Sequence, residues 1–320
     1  MGPIWIIAIC FLAGLALRRL SILPDNAARS LSGYVIYVAL PALVLLYVHD
    51  LEFRAELIFS AVMPHGIFAM AFLFFYALGK RKGWTRETIL CLTLTAGLGN
   101  TSFVGLPMIQ AFFGPELLGV GVIIDQAGSF LALSTWGFAL LGSAGSATES
   151  VQRTWSENTG RSARKHAMVG IARFPPFQAL VLALLLRPLD FSADLKDVLR
   201  SIGSSLTPVA MVAVGFQLRL SGLKDRAYPL GAGLVFRLFL APAAVLLVAL
   251  LLFRDVGGNL PANIQVTVFE AAMPPMITAG ILAMEHEKDA ELAALMLGVG
   301  IPLSFLTLPV LHWILQSGWL

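Results

Sequence analysis

Residues 98–107 read LGNTSFVGLP and interrupt an apolar run of this chain with glycines, polar side chains and a proline. A second interrupted run, EAAMPPMITAG at residues 270–280, contains two adjacent prolines. Inside a bilayer, non-helical backbone persists only where protein or a water-filled cavity satisfies its freed N–H and C=O groups. Interrupted apolar segments in corresponding places of two halves are typical of secondary transporters, whose binding site they form. The sequence therefore predicts two broken transmembrane helices.

The composition supports a membrane protein. Hydrophobic residues make up 58% of the 320 residues and charged residues 13%, against about 45–50% and about 25% in soluble domains. The net charge is +3, but the Lys and Arg residues lie between apolar runs and no basic stretch alternates with aromatic residues. This pattern excludes a nucleic-acid-binding protein.

The apolar runs divide the chain into ten predicted spans, since a membrane helix needs about 20 apolar residues. The spans are 3–17, 30–48, 57–79, 88–113, 117–142, 168–187, 201–219, 230–252, 263–284 and 291–316. The fourth and the ninth contain the interruptions. The loops on one side hold fifteen Lys and Arg residues and those on the other side hold five. The positive-inside rule then places both termini outside the cell membrane and residues 143–167, a polar linker, in the cytosol.

The linker separates two sets of five spans, residues 1–142 and 168–320. An odd number of spans in each set orients the two sets oppositely across the membrane, which is an inverted repeat. The proline spacing agrees, because Pro41 precedes Pro107 by 66 residues and Pro208 precedes Pro274 by 66 residues. The predicted fold is an all-α integral membrane protein with ten transmembrane helices in a five-plus-five inverted repeat.

Each interruption is predicted to start a new half-helix near the middle of the membrane. Pro107 and Pro275 suit the first turn of such a helix, where a missing N–H costs nothing. Two helix N-termini carry partial positive charge and unpaired N–H donors, which suits an anion. The alternative is that the prolines only kink continuous helices. The candidate substrate-binding residues are Asn100, Thr101, Gly105, Pro107, Met273, Pro274 and Pro275.

Three ionisable residues lie within predicted spans, where each costs about 2.5–3.5 kcal/mol or more. Asp125 lies in span five, Arg237 in span eight and Glu270 just before the second interruption. They are candidate ion-coupling residues. The alternative for Glu270 and Arg237 is a structural ion pair between two helices, and the alternative for Asp125 is a structural acceptor near the first interruption.

The sequence carries no phosphate loop of the form G-x-x-x-x-G-K-S/T, no H-E-x-x-H and no G-x-S-x-G. Cys10 and Cys91 each lie in an apolar run without a CxxC pattern or a neighbouring histidine. The sequence therefore predicts no enzyme activity, no cofactor and no metal site.

The motifs resemble those of the auxin efflux carrier family, which includes plant PIN auxin exporters and bacterial malonate or malate permease-like proteins. The resemblance rests on VIYVALPAL at 35–43, GNTSFVGLP at 99–107, DQAGSF at 125–130, FPPF at 174–177 and AAMP at 271–274. It implies crossed broken helices, as in sodium/proton antiporters, and spans one, two, six and seven as a scaffold that often forms a homodimer. The second interruption lacks an asparagine-type polar residue and the linker is short, so auxin itself is not implied.

Together these observations predict a secondary or facilitative transporter that exports or exchanges a small organic anion, a carboxylate, by an elevator-type movement of the remaining spans past the scaffold. The first alternative is a sodium- or proton-coupled symporter or antiporter of the same fold. The second is a membrane receptor or subunit without transport activity.

Overall fold

The computed structural model describes residues 2–52, 54–142, 173–218, 226–253 and 260–317, and these ranges form helices without β-strands. The helices are α1 (Gly2–Arg19), α2 (Ala27–His49), α3 (Glu56–Lys82), α4 (Arg86–Gly97), α5 (Thr101–Phe112), α6 (Pro115–Leu141), α7 (Pro175–Leu186), α8 (Ala193–Gln217), α9 (Ala227–Phe253), α10 (Ala262–Ala271), α11 (Ile277–Glu285) and α12 (Ala290–Gln316). The predicted linker and the first residues of the sixth predicted span lie outside the described residues.

Helices α2, α3, α6, α8, α9 and α12 are long and apolar enough to cross a membrane, and α5 and α7 are shorter apolar helices. This confirms a multi-pass membrane protein. The five-plus-five division stays a prediction, as do the two domain boundaries at the linker.

Local sequence signals explain why α3 ends at Lys82 and α4 begins only four residues later, at Arg86. Gly83 follows α3 with φ of 69°, a left-handed conformation that glycine adopts without strain and that commonly ends helices. Thr85 then precedes α4, and its hydroxyl accepts a hydrogen bond from the Thr88 N–H at 3.3 Å. This side-chain cap satisfies one of the free N–H groups of the first turn.

The helices pack as two groups. The small bundle consists of α1, α2, α7 and α8, in which α8 packs on α1 and α2, and α7 packs on α2. The large bundle consists of α3, α4, α6 and α9–α12. Helix α5 lies between them, because it packs on α6 of the large bundle and on α1 and α8 of the small bundle.

Glycines allow α1 and α8 to cross at close range. A Cβ atom on Gly14 would overlap the carbonyl oxygen of Val212, and one on Gly215 would overlap the carbonyl oxygen of Phe11. Small residues at a helix–helix contact let the two backbones approach, which strengthens van der Waals packing in a membrane. The small bundle is therefore held at its centre by backbone-to-backbone contact.

Candidate functional site

The two predicted interruptions are real breaks, and the broken segments run antiparallel across one another. The N–H of Asn100 donates to the carbonyl of Pro274 at 2.8 Å, and the N–H of Met276 donates to the carbonyl of Leu98 at 3.0 Å. Each segment thus satisfies backbone groups that the other leaves free, as a membrane interior requires. We call these two segments, residues 98–100 and 272–276, the crossing. The alternative of two kinked but continuous helices is wrong.

The two prolines differ in their positions relative to the new helices. Pro107 lies inside α5, in the first turn of its α-helical segment Leu106–Phe112 and after a π-helical turn at Thr101–Gly105, and π turns occur mostly as single turns inside α-helices. Pro275 lies in the extended segment, two residues before α11 begins at Ile277. The prediction that Pro275 occupies the first turn of a new helix is therefore wrong, whereas Pro107 does lie in the first turn of an α-helical segment, although the π turn of α5 precedes it.

Asn100 starts α5. Its side-chain oxygen accepts a hydrogen bond from the N–H of Phe103 at 3.2 Å, which is the standard action of an N-cap asparagine. Its amide nitrogen Nδ2 is buried and has no hydrogen-bond partner among the described residues. Asn100 therefore brings one unused donor to the crossing.

Arg237, on α9, binds the ends of both broken helices. Its guanidinium donates to the carbonyls of Met273 and Ala271, both at 2.7 Å, and to the carbonyl of Ala96 at 3.4 Å. The last turns of α4 and α10 leave carbonyls without helical partners and carry partial negative charge. The buried guanidinium gives these carbonyls hydrogen-bond donors and places a positive charge beside their partial negative charge. In the described part of the chain Arg237 and Glu270 form no ion pair, so the alternative of a structural ion pair between them is wrong.

Asp125 is tied to the first turn of α5. Its carboxylate accepts hydrogen bonds from the hydroxyls of Thr101 and Ser102 and from the side-chain amide of Gln126. The side chain is 1% exposed. Three donors and the positive end of α5 stabilise a buried carboxylate, so the geometry matches the structural alternative for this residue.

Glu270 has a different environment. It is 1% exposed, and neither carboxylate oxygen has a hydrogen-bond partner within the described ranges. It lies in the last turn of α10 and against Gly105, where an added Cβ would overlap the carboxylate. Glycine at position 105 therefore makes room for Glu270, while Thr101, one turn earlier, binds Asp125.

A small cavity, with room for about one water molecule, adjoins these groups, and it is far smaller than ordinary small-molecule pockets. Its lining is Met63, Pro64, Ile67, Gly97, Gly99, Thr101, Ser129, Arg237 and Glu270. Gly99 is needed there because an added Cβ would lie 2.6 Å from a guanidinium nitrogen of Arg237. The Ser129 hydroxyl and the Gln126 side-chain oxygen are also buried without partners among the described residues.

The comparisons with known proteins identify a family of membrane transport proteins. The family described as membrane transport protein matches residues 3–312. The chain belongs to this family. It is 25% identical over 308 residues to an uncharacterized transporter of Methanothermobacter thermautotrophicus, covering 95% of this chain and 94% of that protein. It is also 25% identical over 327 residues to an uncharacterized transporter of Methanocaldococcus jannaschii, covering 99% of each.

Membership in the membrane transport protein family confirms the resemblance to the auxin efflux carrier family. In this family member the two breaks bring most of the candidate residues together, some through their backbone and others through their side chains. Met273 and Pro274 contribute backbone carbonyls to contacts within the crossing. Asn100, Thr101 and Glu270 contribute side chains.

Three side chains at the site were missed by the sequence reasoning. Ser102 binds Asp125, and Gln126 and Ser129 bring unpaired oxygens. Ser129 lies four residues after Asp125, which places both on one face of a helix, so the spacing was a usable signal. In the described residues no group of three or more His, Cys, Asp or Glu side chains is arranged to hold a metal ion.

Proposed function

We propose that this chain is a secondary or facilitative transporter of small organic anions, namely carboxylates, in the direction of efflux. Its family is one of membrane transport proteins. The observation that carries the proposal is the antiparallel hydrogen-bonded bridge between the two breaks. A receptor or scaffold subunit gains nothing from two helix breaks joined in this way, whereas a transporter gains a polar site within the membrane.

The substrate carboxylate binds at the crossing, where α5 and α11 both begin. Each helix start provides partial positive charge and N–H donors to an anion. The unpaired Nδ2 of Asn100 adds a side-chain donor. The remaining substrate-binding candidates, Thr101, Gly105, Pro107 and the segment Met273–Pro275, form the walls of this site.

Transport follows an elevator movement of the large bundle past the small bundle. The packing supports this division, because the first turns of α5 face α8 of the small bundle while the crossing joins helices of the large bundle. The small bundle acts as the scaffold and forms the contact of a homodimer in the cell membrane. The fold is the five-plus-five inverted repeat. In support, the helix order of α1–α6 matches that of α7–α12, with the broken pair in the same place.

A second candidate function, cation-coupled transport by the same fold, is favoured by one observation. Glu270 is a buried carboxylate without a hydrogen-bond partner within the described ranges. An ionised carboxylate in such a place is costly unless a cation accompanies it.

The test is uptake by proteoliposomes of a panel of labelled mono- and dicarboxylates, with and without imposed pH and sodium gradients. At least one carboxylate should be taken up by the wild-type protein. Asn100→Ala should weaken that uptake, because losing a hydrogen bond to a charged group costs about 1.5–3 kcal/mol. Asn26→Ala, at an exposed residue before α2, is the matched control. Unchanged affinity and rate in Asn100→Ala would remove Asn100 from the site.

A further inference from the structure

The buried charges beside the crossing do not balance. Asp125 and Glu270 are each 1% exposed and Arg237 is 2% exposed. With all three ionised the group has a net charge of −1. A buried net charge is strongly unfavourable in a membrane. One monovalent cation bound within the group removes the imbalance.

Hydrogen bonding shows which carboxylate receives that cation. Asp125 already accepts three hydrogen bonds, from Thr101, Ser102 and Gln126, and these stabilise its ionised form. Glu270 accepts none from the described residues. Both of its oxygens are therefore free to bind a cation.

The backbone at the crossing decides between sodium and a proton. Sodium in broken-helix transporters is coordinated by unwound carbonyls and by the C-terminal ends of half-helices. Here Arg237 occupies the carbonyls of Ala96, Ala271 and Met273. The carbonyls of Leu98 and Pro274 accept from backbone N–H groups. These five carbonyls are thus engaged, and a fixed guanidinium charge lies in the same cavity.

We propose that Glu270 binds one exchangeable proton in each transport cycle, and that Arg237 takes up carbonyls that could otherwise coordinate a metal cation. The proposal rests on the proposed function, since it names the coupling ion of that transporter. The Glu270 carboxylate takes a proton from water on one side and becomes a carboxylic acid. It releases the same proton on the other side after the large bundle moves. Gly105 leaves room for the carboxyl group, and the unpaired Ser129 hydroxyl lines the cavity into which it opens.

The other charged groups around α10 have separate partners or lie away from Glu270. On α6, Asp125 repels the Glu270 charge, and on α9 Arg237 attracts it.

The charged or titratable groups of the remaining neighbours, α3 and α12, include His65 and His312. His65 bonds the carbonyl of Ala127 at 3.1 Å and the indole of Trp136 at 3.2 Å. His312 packs against Phe269 and the two phenylalanines at the end of α5. Glu56 and Glu116 lie at the first turns of α3 and α6.

Infrared difference spectroscopy of the full-length purified protein tests the proton site without any substrate. Between alkaline and near-neutral buffer, where exposed carboxylates stay ionised, the wild-type protein should gain the C=O band of a protonated carboxylic acid. Glu270→Gln should lose this band, while Asp125→Asn and the exposed control Glu116→Gln should keep it. Glu270→Asp should keep a band at a shifted frequency, which maintains the test if Glu270→Gln does not fold. A band that persists in Glu270→Gln, or that does not shift in Glu270→Asp, would overturn the proposal.

Proteoliposomes with a trapped pH indicator then test coupling. A pH gradient should drive carboxylate movement with proton movement in wild type, and a sodium gradient should not. Glu270→Gln should lose the pH-gradient response, whereas the exposed control Glu116→Gln should keep both that response and carboxylate exchange. Carboxylate movement that responds to sodium, or that moves no proton, would overturn proton coupling and leave the proposed function standing. If the infrared band behaves as expected but no carboxylate is transported, the proposed function fails and the proton site stands.

Discussion

At the scale of single residues, Arg237 joins the two broken helices. Its guanidinium serves three carbonyls, from the ends of both α4 and α10. Arg237→Met keeps much of the side-chain volume and leaves these carbonyls unpaired, at a cost of about 1–3 kcal/mol for each buried group. We expect a large fall in thermal stability, measured by size-exclusion chromatography after heating in detergent.

The matched control is Arg200→Met. Arg200 forms an exposed ion pair with Asp197 at 2.6 Å, and such surface pairs contribute about 0–1 kcal/mol. This variant should melt close to wild type. Equal stability of Arg237→Met and Arg200→Met would show that the carbonyls at the crossing do not depend on the guanidinium.

The three hydrogen bonds that Asp125 accepts favour the structural one of its two alternative roles, and this leads to a second prediction. Asp125→Asn keeps one acceptor oxygen but loses the charge that three donors and the start of α5 stabilise. We expect lower thermal stability with the pH dependence of uptake intact. Loss of the pH dependence without loss of stability would instead make Asp125 the proton-binding residue.

The sequence predicted which residues cluster at the site better than it predicted what they do. Asp125, Arg237 and Glu270 stood out because a charge inside a membrane is rare and costly. Their partners could not be read from the sequence, since Arg237 binds carbonyls 34 to 141 residues away. Every residue has a backbone carbonyl, so the sequence does not show which carbonyls a side chain binds. In the sequence, an arginine that binds carbonyls therefore looks the same as one that forms an ion pair.

At the scale of helices, the breaks were predictable and the helix starts were not. Glycine and proline disfavour a continuous helix wherever they occur, which identified both interruptions. Helix α5 starts where Asn100 acts as a cap, seven residues before Pro107. Asparagine and proline both occur at helix starts, so the sequence alone does not show which of the two begins α5. The choice between them is made by the backbone bonds of Asn100 to the opposite segment.

The close contact of α1 with α8 gives a prediction for this pair of helices. Gly215→Val places a branched side chain against the carbonyl oxygen of Phe11, and overpacking of this kind costs about 1–3 kcal/mol or more. The small bundle should loosen, and the melting temperature of the protein should fall. Gly231→Val in α9, where an added Cβ meets nothing within 4 Å, is the control. A melting temperature that is unchanged in Gly215→Val would argue against a tight α1–α8 contact.

The end of α2 and the start of α8 are joined by a contact that depends on pH. Asp50 follows α2 and pairs with Lys196 of α8 at 2.7 Å. Partial burial raises the pKa of Asp50, but hydrogen bonds from Lys196 and His49 lower it more, so the pKa lies below its usual range. A lowered native pKa gives stability that is present above the unfolded-state pKa and is lost as the pH falls through the native value.

We therefore expect the wild-type protein to lose part of its thermal stability on acidification, and Asp50→Asn to show a smaller loss. The absolute effect is small because the Asp50 side chain is about half exposed and solvent screens it. Melting temperatures over an acidic pH series measure the difference. Parallel curves for the two proteins would exclude this contact as a source of acid sensitivity.

At the scale of the whole molecule, the proposed function depends on the proposed inverted repeat, in which two halves face each other in opposite orientation. The two breaks run antiparallel and exchange backbone hydrogen bonds. Two segments that enter from opposite sides of a membrane meet in this way, whereas two copies in the same orientation would run parallel. The antiparallel bridge thus supports the inverted repeat independently of the charge pattern in the loops.

The charge pattern itself leads to the last prediction, which concerns topology. Fifteen Lys and Arg residues on one side against five on the other place both termini and the loop near Lys196 outside, and residues 80–86 inside. Single cysteines introduced at these places into a variant without Cys10 and Cys91 should react with a membrane-impermeant maleimide from the predicted side only. Lys82 ends α3 and Lys196 lies in the first turn of α8, so both positions are at helix ends where a label reaches them. The layout requires an even number of crossings between the two termini. Labelling of the segment near Trp319 from the cytosolic side would therefore contradict ten spans and the opposite orientation of the halves, and would leave the crossing without its explanation.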